Sequence, residues 1–496
     1  MYILAIDQGT TGSTSLLVNE SNFEIIAKAN NEFRQILPEP GIVEHNLNDI
    51  WESVKKSTLQ VLNETGIDPK LITSIGITNQ RETITAFSKS GEQIENAIVW
   101  QDRRTSNYCT KLRESGYEEK VSQLTGLTLD PYFSGTKINW LINNSEKIKS
   151  AIRENNCYFG NIDTYLLFKL TDGKSYFTEA TNASRTMLMD LRTTNWSNDL
   201  CELLEVPINC LPEIRPSFGN FGKTQGLDFL PDGIPITGVL GDQQSALFGQ
   251  GGISKGDLKC TYGTGAFALI NTGEQIKFSN NGLLTTVAYS TDTSTTYAIE
   301  GSSYIAGAAV QWLRDNLGII NSAPEVEQLA LKINNLDEMK NLCFYPYFTG
   351  IGSPYWKSEA TASIQGITRD TNKNHLSLAC LESIALTIDD LIRAMEKDSS
   401  NQIKTLRVDG GAVANNTLNQ LQASFSDVTV ERPEVIETTA LGAALASAIG
   451  NNKIDIQDVK RFSRVEKRFE PTNEKYFKDK LTTWKNNQQR TYLSNT

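Results

Sequence analysis

The same short pattern occurs near the start of each half of the chain, and it limits the folds that the sequence can adopt. Residues 3–18 (ILAIDQGTTGSTSLLV) and 258–270 (LKCTYGTGAFALI) each hold two apolar runs joined by a turn that contains Gly-Thr. Such a pair of runs predicts a β-hairpin. Because glycine lets the backbone approach an anion closely, the turns at 9–12 and 263–265 can direct N–H groups and hydroxyls at a phosphate. Either copy alone also fits an ordinary glycine turn, whereas two copies favour a duplicated phosphate clamp.

Short apolar runs alternate with helical patterns through most of the chain, which favours an α/β fold with buried sheets. We predict strands at 2–6, 15–18, 72–77, 97–100, 234–239, 259–262, 405–408 and 428–431. We predict helices at 48–64, 104–113, 136–143, 303–317, 375–397 and 438–449.

The best candidate for a domain boundary is a glycine cluster, because no linker rich in proline, serine or glycine is found. Gly249, Gly251 and Gly252 follow a predicted helix and precede a predicted strand. The chain of 496 residues is too long for one domain of ordinary size. The sequence therefore predicts an N-terminal domain at 1–250 and a C-terminal domain at 251–496.

Charge and cysteine content exclude several classes of protein. With 58 acidic and 47 basic residues the formal charge is −11, which argues against nucleic acid or an anionic membrane as the main partner. Seven scattered cysteines and two histidines predict reduced thiols in a cytoplasm and leave few ligands for zinc, so any metal should be oxygen-ligated. The first apolar run is too short for a signal peptide, and no run reaches the ~20 apolar residues of a membrane span.

Three polar clusters each follow a predicted strand. They are NQRET at 79–83, WQDRR at 100–104 and GDQQ at 241–244. Ligand sites in α/β sheets usually lie at the carboxyl ends of strands. Any one cluster could be a surface loop, but the three together predict a pocket for a small polyol.

Two other elements could contribute to a nucleotide site. In LRVDGGAVANN at 406–416, a strand is predicted to end in DGG and a helix to begin, and a helix N-terminus suits an anion or a nucleotide. In YIAGAAVQWLRDNL, Gly307 and Gln311 share the side of the helix away from the core, where they either face solvent or line a cleft. Neither element is specific alone. Since no GxxxxGK[ST] motif occurs, ATP would have to bind by another route.

Together, these motifs resemble the FGGY family of carbohydrate kinases. The resemblance rests on DQGTTGS, GITNQRET, VWQDRR, GLTLDPYFSGTK, GDQQSALFGQ, TYGTGAF, LRVDGGAVANN and ERPEVIETTALGAA, and both family signatures can be traced, at 132–144 and 362–382. It extends from about residue 2 to residue 470, and the QRET, WQDRR and GDQQ group is specific to the branch that acts on glycerol. The resemblance implies two actin-like, ribonuclease-H-like domains, with ATP and substrate meeting in the cleft between them.

The resemblance also implies an activity and a substrate pocket. The activity is ATP-dependent phosphorylation of glycerol to sn-glycerol 3-phosphate, the first step of glycerol catabolism, with Asp242 as the general base. The implied glycerol-binding residues are Arg81, Glu82, Trp100, Tyr132, Asp242, Gln243 and Phe267. A dry site for a triol needs hydrogen-bond donors and acceptors in fixed directions. Because Arg81 adjoins Glu82, we expect these two buried charges to neutralise each other.

For the nucleotide, the resemblance implies a second set of residues. Thr10, Thr11, Gly12 and Thr264 would contact the phosphates, Gly307 and Gln311 would line the cleft, and Gly411 and Asn415 would surround the adenosine. Mg²⁺ would lie on the phosphates, with Asp7 and Asp242 reached through water. Many relatives have an arginine where this chain has Thr14, so one phosphate contact of the family is missing.

Other functions stay open at this point. One is a kinase for another small polyol or ketose. A non-catalytic sensor is disfavoured by the intact Asp7, Asp242 and GTG elements, and an actin-like filament or chaperone ATPase has no use for the Arg81, Glu82 and Trp100 group.

Regulation and assembly also follow from the resemblance. Gly233 stands where some bacterial relatives carry an arginine for fructose 1,6-bisphosphate. Neither His45 nor His375 lies in the loop that other relatives phosphorylate on histidine. We therefore expect that neither fructose 1,6-bisphosphate nor histidine phosphorylation regulates the protein. We expect a homodimer or homotetramer because relatives form both.

Overall fold

The computed structural model describes residues 1–494, and its first half is built on a mixed sheet. The strands of this half are β1 (Tyr2–Gln8), β2 (Gly12–Asn19), β3 (Ile25–Glu32), β4 (Glu44–His45), β5 (Ile72–Asn79), β6 (Ile84–Phe87), β7 (Gln93–Ile98), β8 (Tyr158–Gly160), β9 (Phe177–Glu179), β10 (Met189–Asp190), β11 (Asn195–Trp196), β12 (Glu213–Arg215) and β13 (Ile236–Gly241). The helices are α1 (Leu47–Thr65), α2 (Ser106–Glu114), α3 (Glu118–Thr125), α4 (Ser134–Asn144), α5 (Glu146–Arg153), α6 (Ile162–Leu170), α7 (Ala180–Ala183), α8 (Asn198–Leu203) and α9 (Asp242–Gly249).

The second half contains another large sheet and the longest helix. Its strands are β14 (Leu258–Tyr262), β15 (Ala266–Gly273), β16 (Leu284–Ser290), β17 (Thr295–Ser303), β18 (Cys343–Tyr345), β19 (Ser363–Gln365), β20 (Thr405–Asp409), β21 (Thr429–Pro433) and β22 (Val465–Phe469). Its helices are α10 (Gly307–Asp315), α11 (Glu325–Ala330), α12 (Lys373–Ser399), α13 (Asn416–Ser426), α14 (Thr438–Gly450) and α15 (Lys475–Gln488).

The two large sheets share one arrangement, as the repeated hairpin predicted. The first has the order β13-β5-β1-β2-β3 and the second β16-β17-β15-β14-β20-β21-β22. In each, an antiparallel hairpin (β1 with β2, β14 with β15) is followed by two parallel strands (β5 and β13, β20 and β21). Both predicted hairpins are therefore confirmed.

Parallel pairing brings two of the three polar clusters, NQRET and GDQQ, to one edge of the first sheet, whereas WQDRR follows β7 of the separate sheet β4-β7-β6-β8. Gln8 at the end of β1 and Gly241 at the end of β13 both pair with Asn79 at the end of β5. The segments that follow these strands therefore start side by side, as expected for a ligand site in an α/β sheet.

Helix α14 belongs to the second half of the sequence but packs on the first sheet. A Cβ at Gly76 in β5 would lie 2.0 Å from the carbonyl oxygen of Ala443, and one at Gly442 would lie 2.0 Å from that of Ser245 in α9. Close contact on several sides explains why α14 is rich in alanine and glycine. The division of the chain at residue 250 remains a prediction.

Some predicted elements differ from the structure. The helix expected at 303–317 begins at Gly307, because the chain up to Ser303 belongs to β17. Strands β3, β16 and β17 were not predicted, and β3 alternates buried and exposed positions at the edge of its sheet. All seven cysteines are buried and free.

Within residues 1–494, no helix combines the length and the apolar character needed to cross a membrane.

Candidate active site

The proposed base, Asp242, lies in the first turn of α9, directly after β13. One of its carboxylate oxygens, Oδ1, is 3.0 Å from Nε of Arg81, and 30 % of its side chain is exposed. The preceding residue is held in place, since the backbone N–H of Gly241 donates to Oγ1 of Thr181 at 2.7 Å. Asp242 therefore combines a fixed backbone with an accessible carboxylate.

Arg81 and Glu82 are both buried, and each has a hydrogen-bond partner other than its neighbour in the sequence. The distance between Nε of Arg81 and Oε1 of Glu82 is 3.9 Å, too long for a hydrogen bond. Arg81 instead donates from both terminal nitrogens to Glu300, at 2.6 and 3.0 Å. Arg185 donates from Nε to Glu82 at 2.6 Å and from a terminal nitrogen to Glu300 at 3.0 Å. The expected ion pair of Arg81 with Glu82 is present, and Glu300 and Arg185 add the hydrogen bonds that the two residues do not give each other.

The charges in this network fix its protonation. Burial alone would raise the pKa of Glu300, but the guanidiniums of Arg185 and Arg81 outweigh it and lower the pKa to about 2. Burial raises the pKa of Glu82, while Arg81 and Arg185 oppose that rise. Arg81 has a pKa well above its ordinary value, because the carboxylates of Glu300 and Glu82 outweigh the effect of burial.

The backbone of Glu82 has a left-handed conformation, with φ at 60°. Its carbonyl oxygen accepts from Oγ of Ser134 at 3.0 Å and from Nζ of Lys137 at 3.4 Å. The Lys137 ammonium also donates to the carbonyl of Tyr132 at 2.6 Å. Burial lowers the pKa of Lys137 to about 7. One buried lysine thus ties together the backbones of two predicted glycerol-binding residues.

Three aromatic side chains form one wall beside these charges. The Trp100 ring meets Tyr132 edge-on at 5.7 Å between centroids and Phe267 at 6.3 Å. Phe267 comes from β15 of the second sheet, so this wall is built from both halves. The indole N–H of Trp100 donates to the hydroxyl of Thr10 at 2.9 Å, which links the wall to the first glycine turn.

Gln243 is oriented by a lysine that the sequence analysis did not single out. Nζ of Lys259 donates to Oε1 of Gln243 at 2.6 Å and to the hydroxyl of Thr261 at 2.9 Å. Lys259 is completely buried. Burial lowers its pKa, against the opposing effect of the Asp409 and Asp242 carboxylates.

Each glycine turn is closed by a backbone hydrogen bond, which spans three residues in the first turn and two in the second. The N–H of Gly9 donates to the carbonyl of Gly12, and that of Gly263 to the carbonyl of Gly265, each at 2.9 Å. The second turn also touches the start of α10, since the N–H of Gly307 donates to the carbonyl of Gly263 at 2.9 Å. Thr11 and Thr264 are exposed, and Thr10 is half-buried. The phosphate contacts expected at both turns stay a prediction.

The predicted adenosine residues lie after β20. Gly410 has φ at 88°, and a Cβ at Gly411 would meet no atom within 4 Å. Asn415 caps α13 by accepting the N–H of Leu418 at 2.8 Å, and Gln311 is exposed on α10. In the described chain, no hydrogen bond joins these side chains to the two glycine turns, so their grouping around a nucleotide stays a prediction.

Asp7 is the carboxylate predicted to reach Mg²⁺ through water, and it lies near other negative charges. Burial, together with the negative charges of Asp242 and Glu437, raises the pKa of Asp7 to about 8. A cation nearby would favour its ionised form. Residues 1–494 hold no cluster of three or more His, Cys, Asp or Glu side chains suited to bind a metal by themselves. Mg²⁺ would therefore depend on phosphate and water oxygens for most of its ligands.

Four charged residues of the site were missed, and they share a signal in the sequence. Each is fully buried; they are Lys137, Arg185, Lys259 and Glu300. Each also interrupts a run of small or apolar residues, as in YAIEGSS for Glu300 and LKCTY for Lys259. Charged residues are almost never fully buried unless paired, so a charge inside such a run indicates a buried polar partner. Arg185 and Glu300 are partners of each other, whereas Lys137 and Lys259 donate to uncharged oxygens.

Comparison with solved structures agrees with the two-domain α/β prediction. The Plasmodium falciparum glycerol kinase, solved with ADP, superposes with a TM-score of 0.91 at 34% identity, covering 99% of this chain and 98% of that one. Gluconate kinase from Lactobacillus acidophilus shares the fold, with a TM-score of 0.89 at 19% identity and coverage of 99% and 98%. The predicted fold class is confirmed.

Sequence comparison gives the same result. The N-terminal domain model of the FGGY family of carbohydrate kinases matches residues 2–249, and the C-terminal model matches residues 258–450. Glycerol kinase from Bdellovibrio bacteriovorus is 46% identical over 97% of this chain and 98% of its own length. Glycerol kinase from Myxococcus xanthus is 45% identical, with 98% of each chain covered. The chain therefore belongs to the FGGY family of carbohydrate kinases.

Proposed function

We propose that the protein transfers the γ-phosphoryl group of ATP to glycerol and releases sn-glycerol 3-phosphate and ADP. The observation that carries this proposal is the approach of Arg81 to Asp242, 3.0 Å apart at the edge of the first sheet. The relatives named glycerol kinase, at 45% and 46% identity over nearly the whole chain, support glycerol as the acceptor.

In the proposed reaction Asp242 is the general base. Its carboxylate accepts the proton of the glycerol hydroxyl as that oxygen forms a bond to the γ-phosphorus. The bond between the γ-phosphorus and the bridging oxygen breaks, and ADP leaves with that oxygen. Because the transition state is loose, most of the catalysis comes from positioning and charge stabilisation. A partly exposed carboxylate on a fixed helix turn meets this need.

The polarity of the side chains around Asp242 supports glycerol as the substrate. The guanidinium of Arg81 and the carboxylates of Glu82 and Asp242 offer donors and acceptors for the hydroxyls. The rings of Trp100 and Phe267 lie on one side of the pocket, with 6.3 Å between their centroids. There they would cover the carbon face of glycerol. A larger sugar would need more polar partners than this aromatic wall provides.

The nucleotide would lie across the two glycine turns. Backbone N–H groups and the hydroxyls of Thr10, Thr11 and Thr264 would donate to phosphate oxygens, with Gly12 allowing close approach. Gly307 and Gln311 would line the cleft, and Gly411 and Asn415 would border the adenosine. Mg²⁺, when bound, neutralises phosphate charge, and Asp7 and Asp242 would hold it through water.

Assembly and location are part of the same proposal. We propose a homodimer or homotetramer in the cytoplasm, without nucleic acid as a partner. The seven free, buried cysteines support the location, and the charge of −11 supports the absence of a nucleic-acid partner. The assembly is inferred from the family resemblance alone. Light scattering of the purified protein tests the assembly, and a monomer at all concentrations contradicts it.

The proposal is tested by glycerol-dependent release of ADP with Mg²⁺ and ATP. Parallel reactions with dihydroxyacetone, xylulose and erythritol compare the acceptors by kcat/KM. We expect glycerol to give the highest value. A rate of ADP release that is the same with and without glycerol contradicts the proposal. A higher kcat/KM for another acceptor identifies a kinase for that polyol or ketose instead.

A further inference from the structure

Glu300 is a fully buried carboxylate that the second sheet places against residues of the first half. It lies in β17, and its side chain is 0% exposed. Its two oxygens receive three hydrogen bonds, two from Arg81 and one from Arg185. Glu300 therefore joins the two halves of the chain beside the proposed glycerol pocket.

The geometry of these bonds determines how the pocket residues point. Both terminal nitrogens of Arg81 are bound to Glu300, so Nε is the nitrogen that lies 3.0 Å from Asp242. Arg185 spans Glu300 and Glu82 and holds one oxygen of the Glu82 carboxylate at 2.6 Å. A bidentate pair between a guanidinium and a carboxylate fixes direction as well as distance.

We propose that Glu300 is a positioning residue for glycerol, acting on Arg81 directly and on Glu82 through Arg185. This inference rests on the proposed function. Glu300 needs no contact with glycerol for this role. Because Glu300 comes from the second sheet, the glycerol site in the first half is complete only when the second sheet holds Glu300 against Arg81 and Arg185.

Loss of the Glu300 charge should disturb the pocket in a specific way. Arg81 would keep its positive charge in a buried place without its bidentate partner, which is unfavourable. The nearest carboxylate left to it is Asp242. A guanidinium that turns toward Asp242 would compete with glycerol for that carboxylate and leave Glu82 supported by Arg185 alone.

The experiment compares Glu300→Gln with a matched control, Glu382→Gln. Glu382 is equally buried, and it is paired with Lys480 at 2.9 Å and bound by Tyr476, within the second half of the chain. Each variant replaces a buried carboxylate with an amide of the same shape and so removes one negative charge. We expect Glu300→Gln to raise the KM for glycerol at least fivefold with the KM for ATP within twofold, and Glu382→Gln to leave both within twofold.

Glycerol binding is also followed without catalysis, by fluorescence of the full-length protein, in which Trp100 lines the pocket. This separates the inference from the proposed function, since a wild type that binds glycerol but releases no ADP contradicts only the latter. A rise in the KM and Kd for glycerol of less than fivefold in Glu300→Gln, or an equal rise in the KM for ATP, overturns the inference.

A second variant keeps the test valid if Glu300→Gln does not fold. Glu300→Asp retains the charge but is one methylene shorter, so it cannot hold both terminal nitrogens of Arg81 in the same geometry. A rise in the KM and Kd for glycerol of less than fivefold in Glu300→Asp also overturns the inference. In the double variant Arg81→Lys with Glu300→Asp, the effects should be less than additive, because both act on the same contact. Full additivity contradicts positioning through Arg81.

Discussion

The side-chain stem of Arg81 lies directly against Gly241. A Cβ on Gly241 would be 2.7 Å from Cδ and 2.8 Å from Cγ of Arg81. The backbone of Gly241 has φ at −63°, which any residue can adopt, so the absence of a side chain matters here for space alone. The glycine of the GDQQ motif thus makes room for the arginine of the QRET motif.

We expect Gly241→Ala to displace Arg81 and damage the glycerol pocket. A shift of about 1 Å in a positioned group can cost on the order of 100-fold in rate. The KM for glycerol should therefore rise and kcat/KM should fall, while the KM for ATP stays close to wild type. Steady-state kinetics with each substrate varied in turn measure this. Unchanged glycerol kinetics would show that Arg81 does not bind the substrate.

Replacing Asp242 by Asn should separate catalysis from binding. The amide keeps the shape of the side chain but cannot accept the hydroxyl proton, so kcat should fall by about 10²–10⁴. Glycerol should still bind with a Kd within a few fold of wild type, as measured by fluorescence. Near-normal turnover would remove Asp242 from the role of base.

Gly411→Ala tests the predicted adenosine site with little structural cost. The added methyl group meets no protein atom within 4 Å, and Gly411 does not have a left-handed backbone. The thermal midpoint should therefore stay within about 2 °C of wild type, since surface substitutions usually change stability little. We expect the KM for ATP to rise several fold with the glycerol KM unchanged. Kinetics identical to wild type would place the adenosine elsewhere.

Glu179 should make stability depend on pH. Its carboxylate accepts the N–H of Thr181 at 2.8 Å and a hydrogen bond from Ser217, and burial raises its pKa to about 8. The folded protein therefore keeps a proton on Glu179 between about pH 4.5 and 8 that the unfolded chain releases. The stability that the folded protein gains from this bound proton is fully present below pH 4.5 and is lost as pH rises through 8.

The measurement for Glu179 is the thermal midpoint of Glu179→Gln and of wild type across this range. Glutamine has no proton to lose, so the variant should gain a few degrees relative to wild type between pH 5 and pH 9. Glu382→Gln is the control for removal of a buried carboxyl. A constant difference between Glu179→Gln and wild type would contradict the raised pKa.

Closure of the two halves is expected when both substrates bind, because the transferring group must be shielded from water. We place the hinge at 249–252, where α9 ends and the chain leaves the first sheet. Gly249 packs so closely on α14 that a Cβ would lie 2.1 Å from the carbonyl oxygen of Thr438. Small-angle scattering with glycerol and a non-hydrolysable ATP analogue should show a smaller radius of gyration, and an unchanged radius contradicts closure.

Much of the fold could be predicted from local patterns. The hairpins of each half, the parallel strands and the long helices follow from apolar periodicity and glycine turns, which act over a few residues. Strands β16 and β17 were missed because antiparallel strands with threonine and serine at many positions lack a continuous apolar run. Their assignment depends on pairing, since β17 pairs with β15 and β16 with β17, and a pattern of a few residues does not show this.

The sequence by itself determined which chemical groups are available: Asp242 after one strand, Arg81 and Glu82 after another, and glycine turns for phosphates. Only the tertiary structure decided which of them pair. Adjacency predicted the ion pair of Arg81 with Glu82, which the structure has at 3.9 Å. The hydrogen bonds of Arg81, however, go to Glu300, 219 positions away. The reason is that a buried charge interacts with every opposite charge that the fold brings within a few ångströms, and the sequence does not show which distant residues those are.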